Sequence, residues 1–422
     1  MIPGFSSRGG RYAADWRMAP VVIVGLDCIT GLQTARILAR RRVPVIGVAS
    51  DPGHFACTTR ACKRILHANT ENGDFISALE KLGPGLTQRA VLYPCTDMSV
   101  LALSRNRDGL APWYHIVLPR PDVVELLMDK ASFLQYAQDH DLPVPRTAFV
   151  DTLEAARKVS QTLGYPAVAK PRLKSAEWQA RGLKKVYRLS APEDLVVLYE
   201  RVGTATDTLV VQEWIEGDDS ELYSCNCYFS DSGALGTFIA RKLRQWPPDA
   251  GTSSLGEECR NDVVLHESVR LFESVGYRGL GYVEMKRDAR SGNHLVIEAN
   301  VGRPTGRSSI AEAGDVHLLY AKYCDTLGLP VTVNLQQRYT AVKWIYLRHD
   351  VQSALYYLLH RRLSPFGWWR SFRGKKTYAV ASWSDPIPFW RDLWDSALKA
   401  ASKSDRHGAD GPRKSSVGAS LP

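Results

Sequence analysis

Gly281-Tyr282-Val283-Glu284 and Val296-Ile297-Glu298-Ala299-Asn300 decide how this chain is read. Each is an apolar, β-type run that closes on a carboxylate. The turn-forming residues Asp288-Ala289-Arg290-Ser291-Gly292-Asn293 between them predict a hairpin. Such a hairpin sets Glu284 beside Glu298 with no evident cation between them. Like charges side by side on a sheet are unfavourable, and a divalent ion resolves the conflict. Asn300, two residues past Glu298, falls on the same strand face and offers a third oxygen. Few protein ligands of this hard-oxygen type suit magnesium shared with phosphate, with manganese as an alternative.

Working toward the N-terminus, Tyr165-Pro166-Ala167-Val168-Ala169-Lys170 ends a strand on a lysine that Pro171 stops. Arg172, Lys174, Arg181, Lys184 and Lys185 follow with Glu177 as the lone acid, which reads as a flexible basic lid over phosphates. Lys170, and Lys130 in Asp129-Lys130, can meet phosphate oxygens as point charges. Gln212-Glu213-Trp214-Ile215-Glu216-Gly217 reads as a strand leaving the core and turning at glycine. Its backbone at Glu213, Trp214 and Ile215 can pair with an adenine edge, and Glu221 can accept from ribose hydroxyls. On the other side, Arg303 and Arg307 are guanidinium forks suited to a carboxylate or phosphate. Lys242, in Arg241-Lys242-Leu243-Arg244, precedes the loop Gly251-Thr252-Ser253-Ser254 and can bind an acidic substrate or acyl phosphate. Lys242, Arg303 and Arg307 are therefore the candidate catalytic residues.

The apolar run Val21-Val22-Ile23-Val24-Gly25, the helical spacing over 30–42 and the strand 43–48 begin an alternation that predicts a parallel Rossmann-like sheet over 20–120. Gly25-Leu26-Asp27-Cys28-Ile29-Thr30-Gly31 lacks the G-x-G-x-x-G spacing, which counts against an NAD-dependent oxidoreductase. It reads first as a tight turn of a Rossmann-like domain; the second reading has this turn and Asp51 help form the pocket for a second substrate. From 121 to 335 the pattern is α+β, with strands at 166–170, 184–189, 208–213, 221–229, 234–242, 279–287 and 293–299. Asp151 with Glu154 reads as a capping box, and Gly276 as the glycine closing helix 261–275. Residues 402–422, rich in Ser, Gly, Lys, Asp and Pro, read as a disordered tail.

The net charge of +10 is concentrated: from Arg338 onward there are 15 Lys/Arg against 6 Asp and no Glu, a surplus of +9. That segment also holds six of the eleven tryptophans. Residues 338–401 read as a small basic accessory domain whose tryptophans pack on the main body. Peripheral contact with the inner face of a membrane is the second reading, and nucleic acid is the least favoured. No apolar run approaches the ~18 residues a spanning helix needs. The first twenty residues have no signal-like apolar stretch, and the eight cysteines form no metal doublets, so reduced thiols in the cytoplasm are expected.

Taken in order, Asp129-Lys130, Tyr-Pro-x-x-x-Lys170, Gln-Glu213-x-x-x-Gly217, Val-Glu284 and Ile-Glu298-x-Asn300-x-x-Arg303 resemble the ATP-grasp superfamily over roughly residues 20–330. The Arg-Lys-Leu-Arg segment and basic C-terminal extension look like the carboxylate–amine ligases related to D-aspartate ligase. The resemblance implies a Rossmann-like pre-domain, two α+β subdomains closing on Mg-ATP, and amide formation through an acyl phosphate from a small acid and a small amine, such as an amino acid or peptide. It also implies phosphate contacts from Lys130, Lys170, Lys184 and Lys185, an adenine hinge at Glu213–Ile215, and metal ligation by Glu284, Glu298 and Asn300. Arg303 is implied to steady the reacting carboxylate. Two departures stand out: the superfamily's glycine-rich lid is replaced by 174–185, and Asn300 is separated from Arg303 by two residues rather than one. A catalytically idle ATP-binding protein is the alternative reading.

Overall fold

The computed structural model describes residues 18–172, 176–184, 186–248 and 251–409. Five strands, β1 (Val21–Val24), β2 (Val45–Ala49), β3 (Arg64–His67), β4 (Ala90–Pro94) and β5 (Tyr114–His115), form a parallel sheet in the order β3-β2-β1-β4-β5. Every residue of β1, β2 and β4 is buried, as continuous apolar runs covered on both faces require. Gly25 has φ +89°, and a Cβ on Gly31 would lie 2.2 Å from the Gly25 carbonyl oxygen. Both glycines are thus needed for the helix Ile29–Arg40 to pack down on its own entry turn.

A second, antiparallel sheet has the order β6-β9-β7-β8, from β6 (Thr147–Val150), β7 (Ala167–Pro171), β8 (Tyr187–Leu189) and β9 (Leu209–Glu213). The third and largest has seven strands: β10 (Leu222–Ser230), β11 (Gly233–Trp246), β12 (Thr252–Glu258), β13 (Gly279–Arg287), β14 (His294–Val301), β15 (Lys343–Ile345) and β16 (Lys376–Tyr378). Its order is β14-β13-β10-β11-β12-β15-β16, and only the β15–β16 pair is parallel. The Gly/Ser/Thr loop expected at 251–254 is largely strand β12. Its small polar residues are stabilised by pairing with β11 and β15, which leaves Ser253 and Ser254 buried.

The C-terminal segment is built into the body. Arg36, on the first helix, is buried against Asp385 (Nε to Oδ2, 2.9 Å) and donates to the carbonyls of Val380 (2.7 Å) and Asp385 (2.8 Å). Asp385 also accepts from the Thr59 hydroxyl and the Arg60 amide. Arg244 on β11 makes a two-pronged contact with buried Asp350, 2.9 Å on each arm. The expectation that the tryptophans pack inward fails for most of them. Trp344 is buried and Trp368 partly so, but Trp369, Trp383, Trp390 and Trp394 are exposed.

Other expectations shift. The cap of helix Leu153–Thr162 is Thr152, whose side chain accepts from the Ala155 amide, rather than Asp151. The helix Ile387–Ala409 runs through the first part of the expected disordered tail; 410–422 lie outside the described residues, as do Lys174 and Lys185. Gly276 has φ +60°, as its closing role predicted. In the core, Lys322 is fully buried, donating to the Leu92 carbonyl (3.0 Å) with its ammonium 4.2 Å from the centre of the Tyr93 ring. Burial pulls its pKa down to about 7.

Candidate active site

Glu284 on β13 lies directly opposite Glu298 on β14, and Tyr282 opposite Asn300. A bulge at Ile297 interrupts the register next to Glu284; such bulges re-aim side chains. The pleat turns Val283, Met285, Ala299 and Val301 into the core, leaving Tyr282, Glu284, Glu298 and Asn300 on the other face. The expected absence of a cation near this pair is corrected by the structure. Lys242 Nζ lies 3.9 Å, and Arg307 Nη2 3.7 Å, from Glu284. Burial alone would raise the Glu284 carboxyl, but Lys242, Arg307 and Arg303 outweigh it and hold its pKa below the ordinary value. Glu298 goes the other way: lost solvation and the like charges of Glu284 and Asp97 push it up, against Lys130 and Arg303. Among the described residues Glu298 has no hydrogen-bond or salt-bridge partner.

The two arginines after β14 differ. Arg303 is fully engaged: Nε with Asp97, Nη1 with the Tyr282 hydroxyl (2.7 Å) and Nη2 with Asn300 Oδ1 (2.6 Å). Its fork therefore holds Asn300 in place, in contrast to the expected grip on a substrate carboxylate. Arg307 is buried, donates from Nη2 to Ser224 Oγ (2.9 Å), and leaves buried Nη1 without a hydrogen-bond partner. Gly302, with φ +69° and no room for a Cβ beside Leu118, sets the turn that separates the two. In the basic run of β11, Arg241 pairs with Glu257 and Arg244 with Asp350, so Lys242 is the member that faces the carboxylate pair.

Lys170 sits half-buried on β7 opposite Val210, and Lys130 is exposed at the start of helix Lys130–Asp139, where its charge acts on Glu298. The expected loose lid is partly packed. A short helix, Ala176–Ala180, buries Trp178, whose indole donates to the Lys184 carbonyl (3.2 Å). Arg172 pairs with Asp129 (3.1 Å) and Arg181 with Glu177. Lys184 itself is exposed. At the hinge, the Glu213 carboxylate takes the Gly164 amide (2.9 Å) and Arg146 (3.3 Å). The Trp214 amide goes to Pro166, its carbonyl to Arg290, and the Ile215 carbonyl to Lys286. These bonds occupy much of the backbone edge expected to face adenine. Arg188 and Lys286 lie over the Trp214 ring, and Glu221 is 3.9 Å from Arg287.

A cavity of about 1000 Å³ is lined by Tyr282 and Glu284 of β13, by the first domain and by the C-terminal segment. Lys242, Glu284, Arg303 and Arg307 line this space, together with Asp27 of the glycine turn and Asp51 just after β2. Sequence reasoning missed the third contribution: Arg348, His349, Asp392 and Asp395 also face this space. Asp392 accepts from Arg348 (3.0 Å), and burial lowers His349 to about 4, so its imidazole is neutral, with buried Nδ1 lacking a hydrogen-bond partner. Among the described residues there is no group of three or more His, Cys, Asp or Glu able to hold a metal; the candidate set remains two carboxylates and an amide.

No family model matches the chain. It is 26% identical over 241 residues to the D-aspartate ligase of Enterococcus faecium, covering 53% of this chain and 55% of that one. It is 29% identical over 217 residues to a D-alanine–D-alanine ligase of Xylella fastidiosa, covering 48% and 64%. The match therefore spans between about half and two thirds of the length of these relatives. Among solved structures, the biotin carboxylase domain of the Hydrogenobacter thermophilus 2-oxoglutarate carboxylase, determined with MgADP and bicarbonate, superposes with TM-score 0.57 at 14% identity. That match covers 75% of this chain and 71% of that domain. A five-stranded parallel sheet followed by two largely antiparallel sheets is the fold that the chain shares with this domain, and over about half of its length the chain is similar in sequence to the two ligases.

Proposed function

We propose that the chain is an ATP-dependent carboxylate–amine ligase that forms an amide through an acyl phosphate. The observation that carries this reading is the in-register Glu284–Glu298 pair, whose Glu284 lines a cavity shared with the first domain beside a buried guanidinium with an unpartnered donor. The donors fit magnesium. Glu298 carries a raised pKa and, among the described residues, no hydrogen-bond or salt-bridge partner, and Asn300 Oδ1 is held by Arg303. Glu284, Glu298 and Asn300 would hold the ion, and Lys130 and Lys170 the phosphates of ATP. When bound, magnesium supplies Lewis-acid neutralisation of phosphate charge.

The protein's share is positioning and electrostatics. Arg307 Nη1 and Lys242 are placed to orient the reacting carboxylate and to offset the charge of its phosphorylated form. Arg303 acts one step back, fixing Asn300 and Tyr282. Asp27 and Asp51, on the first-domain side of the cavity, suit the ammonium of the second substrate. A cavity with a cationic wall and an acidic wall favours amino acids or short peptides on both sides of the new bond; the names of the curated relatives point to the same class. A screen of such pairs for ADP release, with hydroxylamine to trap the acyl phosphate as a hydroxamate, tests the assignment. Release of ADP that needs a carboxylate and produces hydroxamate is expected. ADP release indifferent to every acid and amine would overturn it.

A further inference from the structure

The helical hairpin formed by Leu347–Leu359 and Pro365–Ser371 takes no part in the cavity beyond its first residues. Its inner side is fixed. Asp350, Ser353, Ala354 and Tyr357 are buried against β11 and its neighbours, with Asp350 on Arg244 and Ser353 donating to the Gln245 carbonyl. The second helix closes on the same arginine: Trp368 donates to Asp350 (3.3 Å), and Arg244 donates to Ser371. The outer side is apolar. Val351, Leu355 and Leu359 recur every four residues as one stripe, and Leu359 is 81% exposed. Phe366 and Trp369 continue it, 65% and 53% exposed, with ring centroids 5.9 Å apart.

Charge distinguishes this patch from an ordinary sticky surface. Residues 355–376 carry six Lys/Arg (Arg361, Arg362, Arg370, Arg373, Lys375 and Lys376) and no Asp or Glu. Arg373 lies over the Trp369 ring at 4.0 Å, so cation and aromatic form one unit. Exposed leucines have nothing to gain from a nucleic-acid backbone, whereas leucine, phenylalanine and tryptophan beside arginine match the boundary between acyl chains and anionic headgroups. Among the described residues no helix is long and apolar enough to cross a membrane, so the fit is to its surface.

We propose that this hairpin docks the protein on an anionic lipid bilayer, with Leu355, Leu359, Phe366 and Trp369 inserted at the headgroup level and the arginines on the headgroups. The proposal is independent of the ligase reading, because its readout is lipid binding rather than turnover. The test is flotation of the full chain with phosphatidylcholine vesicles with and without phosphatidylglycerol, at low and physiological salt. The exposed double variants Leu359→Ser/Trp369→Ser and Arg361→Glu/Arg370→Glu serve as comparisons, each checked for an unchanged far-UV spectrum. Binding that requires phosphatidylglycerol, weakens with salt and falls roughly tenfold or more in both variants is expected, since each surface cation contributes about 1 kcal/mol. Absence of flotation, equal binding to neutral vesicles, or binding unchanged in the apolar variant would overturn it. So would a mobility shift of RNA or DNA that the same variants abolish without any flotation of the wild type.

Discussion

Replacing Lys322 with methionine is expected to stabilise the protein at neutral pH, and by an amount that shrinks as pH rises. The unfolded chain keeps this lysine charged up to its ordinary pKa of 10.5, while in the fold burial brings the pKa down to about 7. Between those values the unfolded state binds the extra proton, so wild-type stability rises with pH in that window and is flat below it. The full gap corresponds to about 4–5 kcal/mol at pH 7 or below, of which about 2 kcal/mol is recovered by pH 9. Methionine has similar length and no charge, but forfeits the hydrogen bond to the Leu92 carbonyl, worth about 1 kcal/mol. The variant should therefore exceed wild type by about 3 kcal/mol at pH 7 and about 1 kcal/mol at pH 9. Urea unfolding followed by tryptophan fluorescence at both pH values measures it. Buried thiols such as Cys62, whose pKa is raised by burial, lose stability as pH climbs, but they do so in both proteins and cancel in the difference. A difference that does not change between pH 7 and pH 9, or a variant less stable than wild type at pH 7, would refute the reasoning.

Glu298→Gln should keep the fold yet lose magnesium-dependent ADP formation by at least about a hundredfold, because an amide brings neither charge nor a second ligand oxygen; wild-type turnover would remove Glu298 from the metal set. Lys170→Ala should weaken nucleotide binding roughly tenfold with an unfolding midpoint little changed, and equal affinity in calorimetry would contradict the phosphate role. Asp350→Ala leaves Arg244 buried without its carboxylate and should cost about 3–5 kcal/mol in chemical denaturation; a loss under about 1 kcal/mol would mean that the pair is dispensable. Gly302→Ala forces a Cβ to within 2.5 Å of Leu118 at a positive φ and should destabilise by about 1–3 kcal/mol, with Asn300 and Arg303 displaced and activity lost alongside.

The fold was legible where period and punctuation agreed. Val21–Val24 declared a buried parallel strand by being apolar throughout, and the hairpin between Glu284 and Glu298 followed from alternation and turn residues. Strand β12 was not legible, because Thr252 and Ser253 gain their extended form by pairing with β11, in a strand that β15 flanks further on, rather than from their own preference. At the site, residues near one another in sequence were found, whereas those brought together by long crossings were not. Asp97 lies 206 positions from the Arg303 it engages, and no local pattern links them. Arg303 and Arg307 look interchangeable in sequence; only the partners Asp97, Tyr282 and Asn300 show that the first is committed to the protein and the second still has a donor to offer. His349 and Asp395 gave no signal because their places on the cavity wall depend on a C-terminal segment folding back beside the first domain.

That folding back orders the molecule in time as well as in space. Arg36 is made early, and the carboxylate that neutralises it, Asp385, is made 349 residues later. At about 5–20 residues per second, a ribosome needs roughly 20–70 s to cover that distance. Throughout that interval Arg36 has no Asp385 to pair with, and the cavity wall that Ile37 shares with Phe389 and Trp390 lacks its C-terminal side. The N-terminal unit is thus a provisional structure until the last helix arrives. A shortened chain lacking residues beyond 338 would keep every candidate metal ligand and still leave Arg36 without Asp385 and Arg244 without Asp350.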